Sequence, residues 1–329
     1  VATASNDHRL GANEAPPAII SVYLGTQLED VFEQIAKGEI KNSAHGGMMN
    51  LGIDTLPIFP KDPGDRNRTS PFAFTGNRFE FRAVGSNQSV AGPLVAMNTI
   101  LADSLTWVAD RLESELAKGM ELGTAAQAVL KEVMEQHSAV IFGGNGYSEE
   151  WHRMAVEERG LANLPTTADA LPVIKEDYIE ELFARVGVLT PVELESRFDV
   201  YAEQYIHSID VEAKLVVSMA KTIIYPAAVR YLSDLSGAIA SLTAIGISLE
   251  KETAEKVAML VQSMMDMVSK LSVALGQHDF STTEEHMQYC AKTIRPLMDE
   301  VRKYADALEA EVADDLWPLP TYQEMLFVK

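Results

Sequence analysis

Arginine and glutamate residues gather between residues 9 and 82, in segments that are otherwise rich in glycine, proline and apolar residues. They are Arg9, Glu14, Arg66, Arg68, Arg78, Glu80 and Arg82. A guanidinium group matches phosphate or carboxylate with two parallel hydrogen bonds, so arginines gathered around one strand suggest recognition of an anion. The alternative is a surface ladder of ion pairs, in which Arg78 and Arg82 flank Glu80; such pairs are common and individually weak. The residue pattern leaves both interpretations open.

The elements that must position these side chains are short strands and one helix. Residues 77–83 alternate apolar and charged side chains, which predicts a strand that carries Arg78, Glu80 and Arg82 on one face. Residues 18–25 form a short apolar run that tolerates β-structure, and the apolar spacing within 26–37 predicts an amphipathic helix. Residues 38–65 are expected to form a long surface excursion, because glycine, proline and asparagine are dense there.

Helix signals dominate the rest of the chain. A helix is expected behind Pro93, over residues 91–111. Thr190, Pro191 and Glu193 form a capping box that opens a helix running to Tyr225, where Pro226 should kink or end it. Two more long helices, 250–276 and 283–314, carry apolar residues at three- and four-residue spacing, which predicts a helical bundle or a long helical hairpin.

Composition changes near residue 108. Residues 1–108 hold 8 basic and 11 acidic residues, whereas residues 109–329 hold 19 basic and 37 acidic residues, a net charge of −3 against −18. Both parts contain 7 Pro and 10 Gly although the second is twice as long. A region of loops and strands is therefore expected to give way, near residue 105, to long exposed helices.

The overall composition narrows the class of protein. A net charge of −21 opposes non-specific binding to nucleic acid or anionic lipid, so any phosphate ligand needs a local arginine cluster. Uninterrupted apolar runs fall short of the roughly 20 residues of a membrane helix, so no membrane span is expected. The single cysteine, Cys290, cannot form an internal disulfide, and no secretory signal opens the chain, which favours the cytoplasm.

Three motifs, in this order along the chain, carry a resemblance to a known family. They are His-Arg-Leu-Gly-Ala-Asn-Glu-Ala-Pro-Pro at 8–17, Asp-Arg-Asn-Arg-Thr-Ser-Pro at 65–71 and Arg-Phe-Glu-Phe-Arg at 78–82. Together they resemble the flap, the phosphate loop and the Arg-x-Glu-x-Arg strand of the glutamine synthetase catalytic domain. Three features resemble the type III branch of that family: the amino-acid sequences of the first two motifs, the long gap between them and the large helical tail.

The resemblance implies roles for the flap and the glutamate site. Glu14 resembles the flap glutamate that closes over the γ-glutamyl phosphate intermediate and accepts a proton from ammonium, tasks that suit a carboxylate. Arg9 and Arg82 resemble the pair that holds the substrate glutamate and the transferring phosphoryl group.

It also implies a nucleotide and metal site. Arg68 and Arg78 resemble contacts to the ATP phosphates, and Glu80 resembles a ligand of the Mg²⁺ or Mn²⁺ that bridges them, a hard cation that prefers oxygen donors. Many family members carry a further arginine about five positions after the Asn-Arg pair, where residues 72–74 read Phe-Ala-Phe here.

The fold that the resemblance implies is α+β. Residues 1–108 would be the C-terminal part of an antiparallel-sheet catalytic domain and residues 109–329 an acidic helical extension with long helices. The implied activity is ATP-dependent ligation of ammonium to glutamate, in a homo-oligomer of stacked rings whose sites are shared between subunits. The family's other metal ligands and its N-terminal domain precede the matching segment, so this chain is expected to be inactive alone. The alternative is a non-enzymatic helical module for oligomerisation.

Other candidates for chemistry are weaker. The glycine-rich run 143–147 lacks the Lys-Ser/Thr of a phosphate loop, so a tight loop before a helix capped by Ser148 is the better interpretation. His278 and His286, with acidic residues between them, suggest a metal site less strongly than they suggest a solvated connection between helices. Cys290 is expected in the core, and so are most of the methionines near residues 259–267, where a partner-binding surface is the less favoured reading.

Overall fold

The computed structural model describes residues 7, 18–38, 48–49, 59–60, 70–82, 89–320 and 322–326. These residues are mostly helical with a small mixed sheet, which is consistent with the α+β class. The motif residues Arg9, Glu14, Arg66 and Arg68, and most of the expected surface excursion, lie outside the described residues.

The elements have the following bounds. The strands are β1 (Val22–Tyr23), β2 (Met48–Met49), β3 (Phe59–Pro60), β4 (Phe72–Phe74) and β5 (Phe79–Phe81). The α-helices are α1 (Thr26–Lys37), α2 (Ala91–Ala117), α3 (Leu122–His137), α4 (Glu149–Arg153), α5 (Thr167–Ala170), α6 (Asp177–Val186), α7 (Pro191–Met219), α8 (Tyr225–Ala244), α9 (Glu252–Ala274), α10 (Thr283–Tyr289), α11 (Arg295–Glu309) and α12 (Tyr322–Leu326). Met154–Glu158, Ala220–Ile224 and Cys290–Ile294 are π-helical turns.

The sheet differs from the antiparallel one that the family resemblance implies. Its order is β1-β4-β5, in which β4 and β5 are antiparallel but β1 and β4 are parallel. The reason is the long connection that contains α1, because a crossover of this kind brings the second strand back in the same direction. Strands β2 and β3 form a separate antiparallel pair.

The predicted bounds of α1 and the predicted capping box of α7 are both confirmed. Helix α1 spans 26–37 and ends at Gly38, whose φ of 71° is the left-handed conformation that glycine adopts without steric cost. The capping box of α7 also forms, since Thr190 N donates to Glu193 Oε2 at 2.8 Å and Glu193 N donates to Thr190 Oγ1 at 3.4 Å.

Pro226 does not end its helix. Helix α7 passes through the π turn at Ala220–Ile224 directly into α8, whose first turn contains this proline. A proline inside an α-helix removes one hydrogen bond and clashes with the carbonyl four residues earlier, and a π turn before it opens the spacing of that turn. The π turn at Cys290–Ile294 precedes Pro296 in α11 in the same way.

The chain forms two compact units, residues 1–201 and 202–329. The division falls inside α7, whereas the change of composition at residue 108 falls inside α2. The change at residue 108 reflects the exposure and charge of the helices. The division at residue 201 reflects which helices pack together, so the two boundaries differ.

The core of the second unit lies along α9. Its buried face packs against α8 and α11 and consists of Val257, Leu260, Val261, Met264, Val268 and Leu271. Helix α11 contributes Met298, Val301, Ala305 and Leu308, whose spacing of three and four residues places them on one face. The apolar face at residues 257–268 is therefore interior to this unit, whereas Met259 is 60% exposed.

Two helical stretches are long and apolar enough, by length and average composition, to cross a membrane: residues 191–244 and α9. The sequence analysis excluded such spans because it considered only uninterrupted apolar runs. A core helix passes the same test, and α9 buries one face in the way that a core helix does.

Candidate functional site

Strand β5 brings three of the predicted site residues together. Glu80 accepts hydrogen bonds from both neighbours on its face, with Arg78 Nη2 at 2.9 Å from Oε1 and Arg82 Nη2 at 3.4 Å from Oε2. The side chains differ in accessibility, since Arg78 is 71% exposed, Glu80 35% and Arg82 15%. These are the ion pairs of the surface-ladder alternative, one of the two interpretations that the residue pattern leaves open.

The two arginines favour the ionised form of Glu80. The hydrogen bond from Arg78, with a further contribution from Arg82, lowers the pKa of Glu80 below its usual value against the opposing effect of desolvation. An ionised carboxylate is also the form that binds Mg²⁺, so the ladder and the metal-ligand interpretation do not exclude each other.

A tight hairpin positions this strand. Residues 75–78 turn with Thr75 N donating to Arg78 O at 2.8 Å, and Gly76 takes a φ of 97° there, a conformation that strains other residues. The ring of Phe79 stacks on that of Phe72 in β4, with centroids 5.3 Å apart. Ala73 in the middle of β4 is fully buried and pairs with Glu80 across the two strands. Residues 72–74, which read Phe-Ala-Phe, therefore form a packed strand.

The remaining predicted ligands are not placed by the structure. Arg9, Glu14 and Arg68 lie outside the described residues. Within the described ranges, no group of three or more His, Cys, Asp or Glu side chains could hold a metal ion. Glu80 is the predicted metal ligand whose position the described residues include.

One buried polar contact next to the first motif was missed by the sequence analysis. Asp7 is only 3% exposed, and its Oδ1 accepts a hydrogen bond of 2.6 Å from the backbone N–H of Thr167. The two residues are 160 positions apart, and no periodic pattern links them. The only signal in the sequence is an aspartate directly before a motif that carries charged site residues.

The glycine-rich run 143–147 is a loop before α4, as predicted. Ser148 caps this helix by accepting a hydrogen bond from Trp151 N at 3.2 Å. Gly144 lies against the ring of Phe142, because a Cβ at this position would come within 2.6 Å of that ring. Phe142 in turn stacks on Trp151 with centroids 3.7 Å apart, so this glycine makes room for an aromatic stack.

His278 lies in the connection between α9 and α10, whereas His286 lies on α10. A cavity of about 210 Å³ lies beside them and is lined by His207, Asp210, His278, His286 and Tyr289, among others. His286 stacks on Phe280 with centroids 4.2 Å apart, and burial lowers the pKa of His286.

Cys290 is a core residue, as predicted, and it should resist thiol reagents. It is 3% exposed, and burial, with a smaller effect of Asp210, raises the pKa of its thiol to about 12. At pH 8 the thiolate is therefore scarce in the folded chain, and we expect Ellman's reagent to react at least about 100-fold more slowly than with the unfolded chain. Equal rates with and without denaturant would contradict the buried position of this thiol.

Comparison with known proteins gives the context of this site. Residues 125–243 match the model of the glutamine synthetase C-terminal domain. Over 100% of its length the chain is 39% identical to a type-3 glutamine synthetase of Dictyostelium discoideum, covering 46% of that protein. It is 34% identical to a glutamine synthetase of Bacteroides fragilis and 37% identical to one of Butyrivibrio fibrisolvens, covering 47% of each.

The chain therefore spans about half the length of the relatives that it matches. The domain match falls within the helical region, and the similarity to the relatives extends through strand β5 and the ladder. Together these matches show that the whole chain is similar to about half of a type-3 glutamine synthetase and that its helical region matches the glutamine synthetase C-terminal domain.

Proposed function

We propose that this chain supplies part of the active site of a glutamate–ammonia ligase, which forms glutamine from glutamate, ammonium and ATP. The observation that carries the proposal is the arrangement of Arg78, Glu80 and Arg82 on one face of β5, in a chain similar over its whole length to glutamine synthetases. A ligase of this class must hold several anionic groups close together, which requires cationic side chains on a rigid element.

In the proposed reaction, the γ-carboxylate of glutamate attacks the terminal phosphorus of ATP, and ADP leaves. Ammonia then attacks the carbonyl carbon of γ-glutamyl phosphate, the C–O bond to phosphate breaks, and inorganic phosphate leaves. In this scheme Arg9 and Arg82 hold glutamate and the phosphoryl group, while Arg68 and Arg78 contact the ATP phosphates. Glu14 takes the proton that ammonium gives up.

Glu80 fits the role of a metal ligand because it is ionised, partly exposed and fixed in direction by two arginines. A bound Mg²⁺ or Mn²⁺ would neutralise charge on the transferring phosphoryl group. The other ligands would come from parts of the longer protein outside this chain. Arg82, the less exposed of the two arginines, would keep the carboxylate oriented.

We propose for residues 1–108 the role of the C-terminal part of the catalytic domain, and for residues 109–329 that of a helical extension. A cytoplasmic homo-oligomer of stacked rings, with sites shared between subunits, is part of the same proposal. Because the apolar face at 257–268 is interior to its unit, ring contacts would rest on residues 1–108 or on other exposed faces.

The test compares two proteins. The full-length protein should form glutamine from glutamate, ammonium, ATP and Mg²⁺, whereas residues 1–329 alone should form none, because one carboxylate ligand cannot hold the two or three divalent ions that phosphoryl transfer needs. Glutamine and phosphate are measured separately. Glutamine formation by the isolated chain would refute the assignment of the missing ligands elsewhere, and its absence from the full-length protein would refute the ligase proposal.

A further inference from the structure

The cavity of about 210 Å³ beside His278 and His286 lies wholly within the second unit. Three parts of the chain border it, namely α7, the end of α9 with the connection behind it, and α10 with the π turn that follows. An aliphatic cavity of about 150 Å³ is large enough to bind benzene. This cavity therefore has room for a six-membered ring with a small polar group.

The buried part of the cavity lining is apolar. Ile209 is fully buried, and Cys290 and Ile294 are each 3% exposed. Burial also keeps the thiol of Cys290 uncharged, because it raises the pKa of this group to about 12. Contact with hydrocarbon rather than with water is favourable for such a surface. The inner part of the cavity thus suits the apolar body of a ligand.

The accessible part of the lining carries imidazole groups. His207 on α7 and His278 in the connection are exposed, and His286 on α10 is partly buried. The charges of His207 and His278 both affect the titration of His286, so the three rings lie close enough to interact. The ring of His286 stacks on Phe280, which holds its orientation. A protonated imidazole donates hydrogen bonds from both nitrogens, and these rings can therefore receive an anionic group.

The other polar residues of the lining have partners within the protein. Lys214 Nζ lies 2.7 Å from Asp210 Oδ2, one turn away on α7, so these two charges offset each other. The hydroxyl of Tyr289 donates to Ala274 O at 3.1 Å. Histidine is the residue type whose ordinary titration falls between pH 5 and 8. The charge of the lining near neutral pH therefore depends on its histidines.

An anion in this cavity would change the protonation of the histidines. Burial lowers the pKa of His286; Asp210 acts in the opposite direction, and His278 and His207 lower it further. The protein by itself thus favours the neutral ring of His286. A negative charge within about 4–6 Å favours the protonated form instead. Binding of an anion is therefore coupled to the uptake of a proton, and its affinity should rise as the pH falls.

We propose that this cavity is a binding site for a small monocarboxylate with an apolar body, taken up together with a proton. The carboxylate would lie at the three histidines and the apolar body against Ile209 and Ile294. A ligand with several negative charges would be repelled more strongly, because residues 109–329 carry a net charge of −18. This inference does not depend on the proposed ligase activity and gives the helical region a ligand of its own.

Benzoate is the probe, and benzamide, which has the same ring and no charge, is the control ligand. Titration calorimetry of the full-length protein should give benzoate a dissociation constant of about 1 mM or lower at pH 6, and about tenfold higher at pH 7.5. The dissociation constant of benzamide should not change with pH. Titrations in two buffers of different ionisation enthalpy should show proton uptake with benzoate. Failure of benzoate to bind at pH 6, or equal pH dependence for both ligands, would overturn the proposal.

Two substitutions at the end of α9 test where benzoate binds. Ala274→Phe places a ring in the cavity and keeps the carbonyl that accepts from Tyr289. Val273→Phe is the matched control, since this neighbour is 76% exposed. At pH 6 we expect Ala274→Phe to weaken benzoate binding at least about tenfold and Val273→Phe to leave it unchanged. Equal affinities in the two variants would show that benzoate binds elsewhere and would overturn the assignment of the cavity.

A combined substitution tests the histidines without filling the cavity. With His207→Gln, His278→Gln and His286→Gln together, benzoate binding at pH 6 should weaken about tenfold and lose its pH dependence, while benzamide binding should not change. His137→Gln is the control, because this histidine is exposed at the end of α3 in the first unit. It should retain the pH dependence. Persistence of the pH dependence in the combined variant would overturn the role of the three histidines, whether or not the protein forms glutamine.

Discussion

Glu80→Gln in the full-length protein should lower glutamine formation by about 100-fold or more at saturating Mg²⁺. A metal ion contributes several kcal/mol to stabilising a transferring phosphoryl group, and each 1.4 kcal/mol is a factor of ten in rate. The fold should be unaffected, because the two ion pairs of Glu80 are partly exposed and such pairs contribute little to stability. Initial rates and the thermal midpoint are the two measurements.

The matched control is Glu33→Gln on α1. Glu33 is also a glutamate in an ion pair, with Oε2 at 2.9 Å from Lys37 Nζ, and its side chain is more exposed, at 65% against 35% for Glu80. This change should leave both the rate and the thermal midpoint as they are. If turnover in Glu80→Gln equalled that of the control, Glu80 would be no metal ligand and the ladder would be only a surface feature.

Trp151→Ala should destabilise the first unit by about 3–5 kcal/mol, the usual cost of truncating a buried tryptophan. The ring is 1% exposed and lies between two partners, the stacked ring of Phe142 and the guanidinium of Arg159, 5.1 Å from the ring centroid. Arg159 Nη1 also donates hydrogen bonds to Ala139 O and Ile141 O. Urea unfolding of the chain, followed by far-ultraviolet circular dichroism, measures the loss.

Trp107→Ala is the comparison for this variant. Trp107 lies on α2, is partly exposed and carries Arg111 5.3 Å above its ring, so its removal should cost only about 1 kcal/mol. Equal losses for the two tryptophans would contradict the central place of Trp151 in the first unit.

Local patterns in the sequence predicted local structure well. The bounds of α1 and the capping box of α7 each depend on residues within a few positions of one another, and both are confirmed. The pairing of Arg78 with Glu80 on β5 is equally local, and it is one of the two alternatives that the pattern had left open. The parallel pairing of β1 with β4 was not predictable in this way, because it depends on how a crossover packs. The resemblance of three motifs supplied the family, which residue patterns alone had left open.

Contacts between residues far apart in the sequence could not be predicted from local patterns. The hydrogen bond between Asp7 and Thr167 joins two residue types that are individually ordinary. Likewise, nothing in the sequence around Trp151 indicates that it packs against Ile19 rather than against a neighbour on its own helix. Such contacts require knowledge of which surfaces pack, and hydrophobic periodicity defines only the face of an element, not its partner.

The π turns at Ala220–Ile224 and Cys290–Ile294 also affect how sequences of this family are aligned. A π turn accommodates one residue more than an α-helical turn, and one residue rotates an α-helix by about 100°. A single-residue gap opened elsewhere in α7 or α8 would turn every later side chain onto the wrong face. An insertion or deletion in these long helices is therefore best placed within the π turn, where the backbone already absorbs the extra residue.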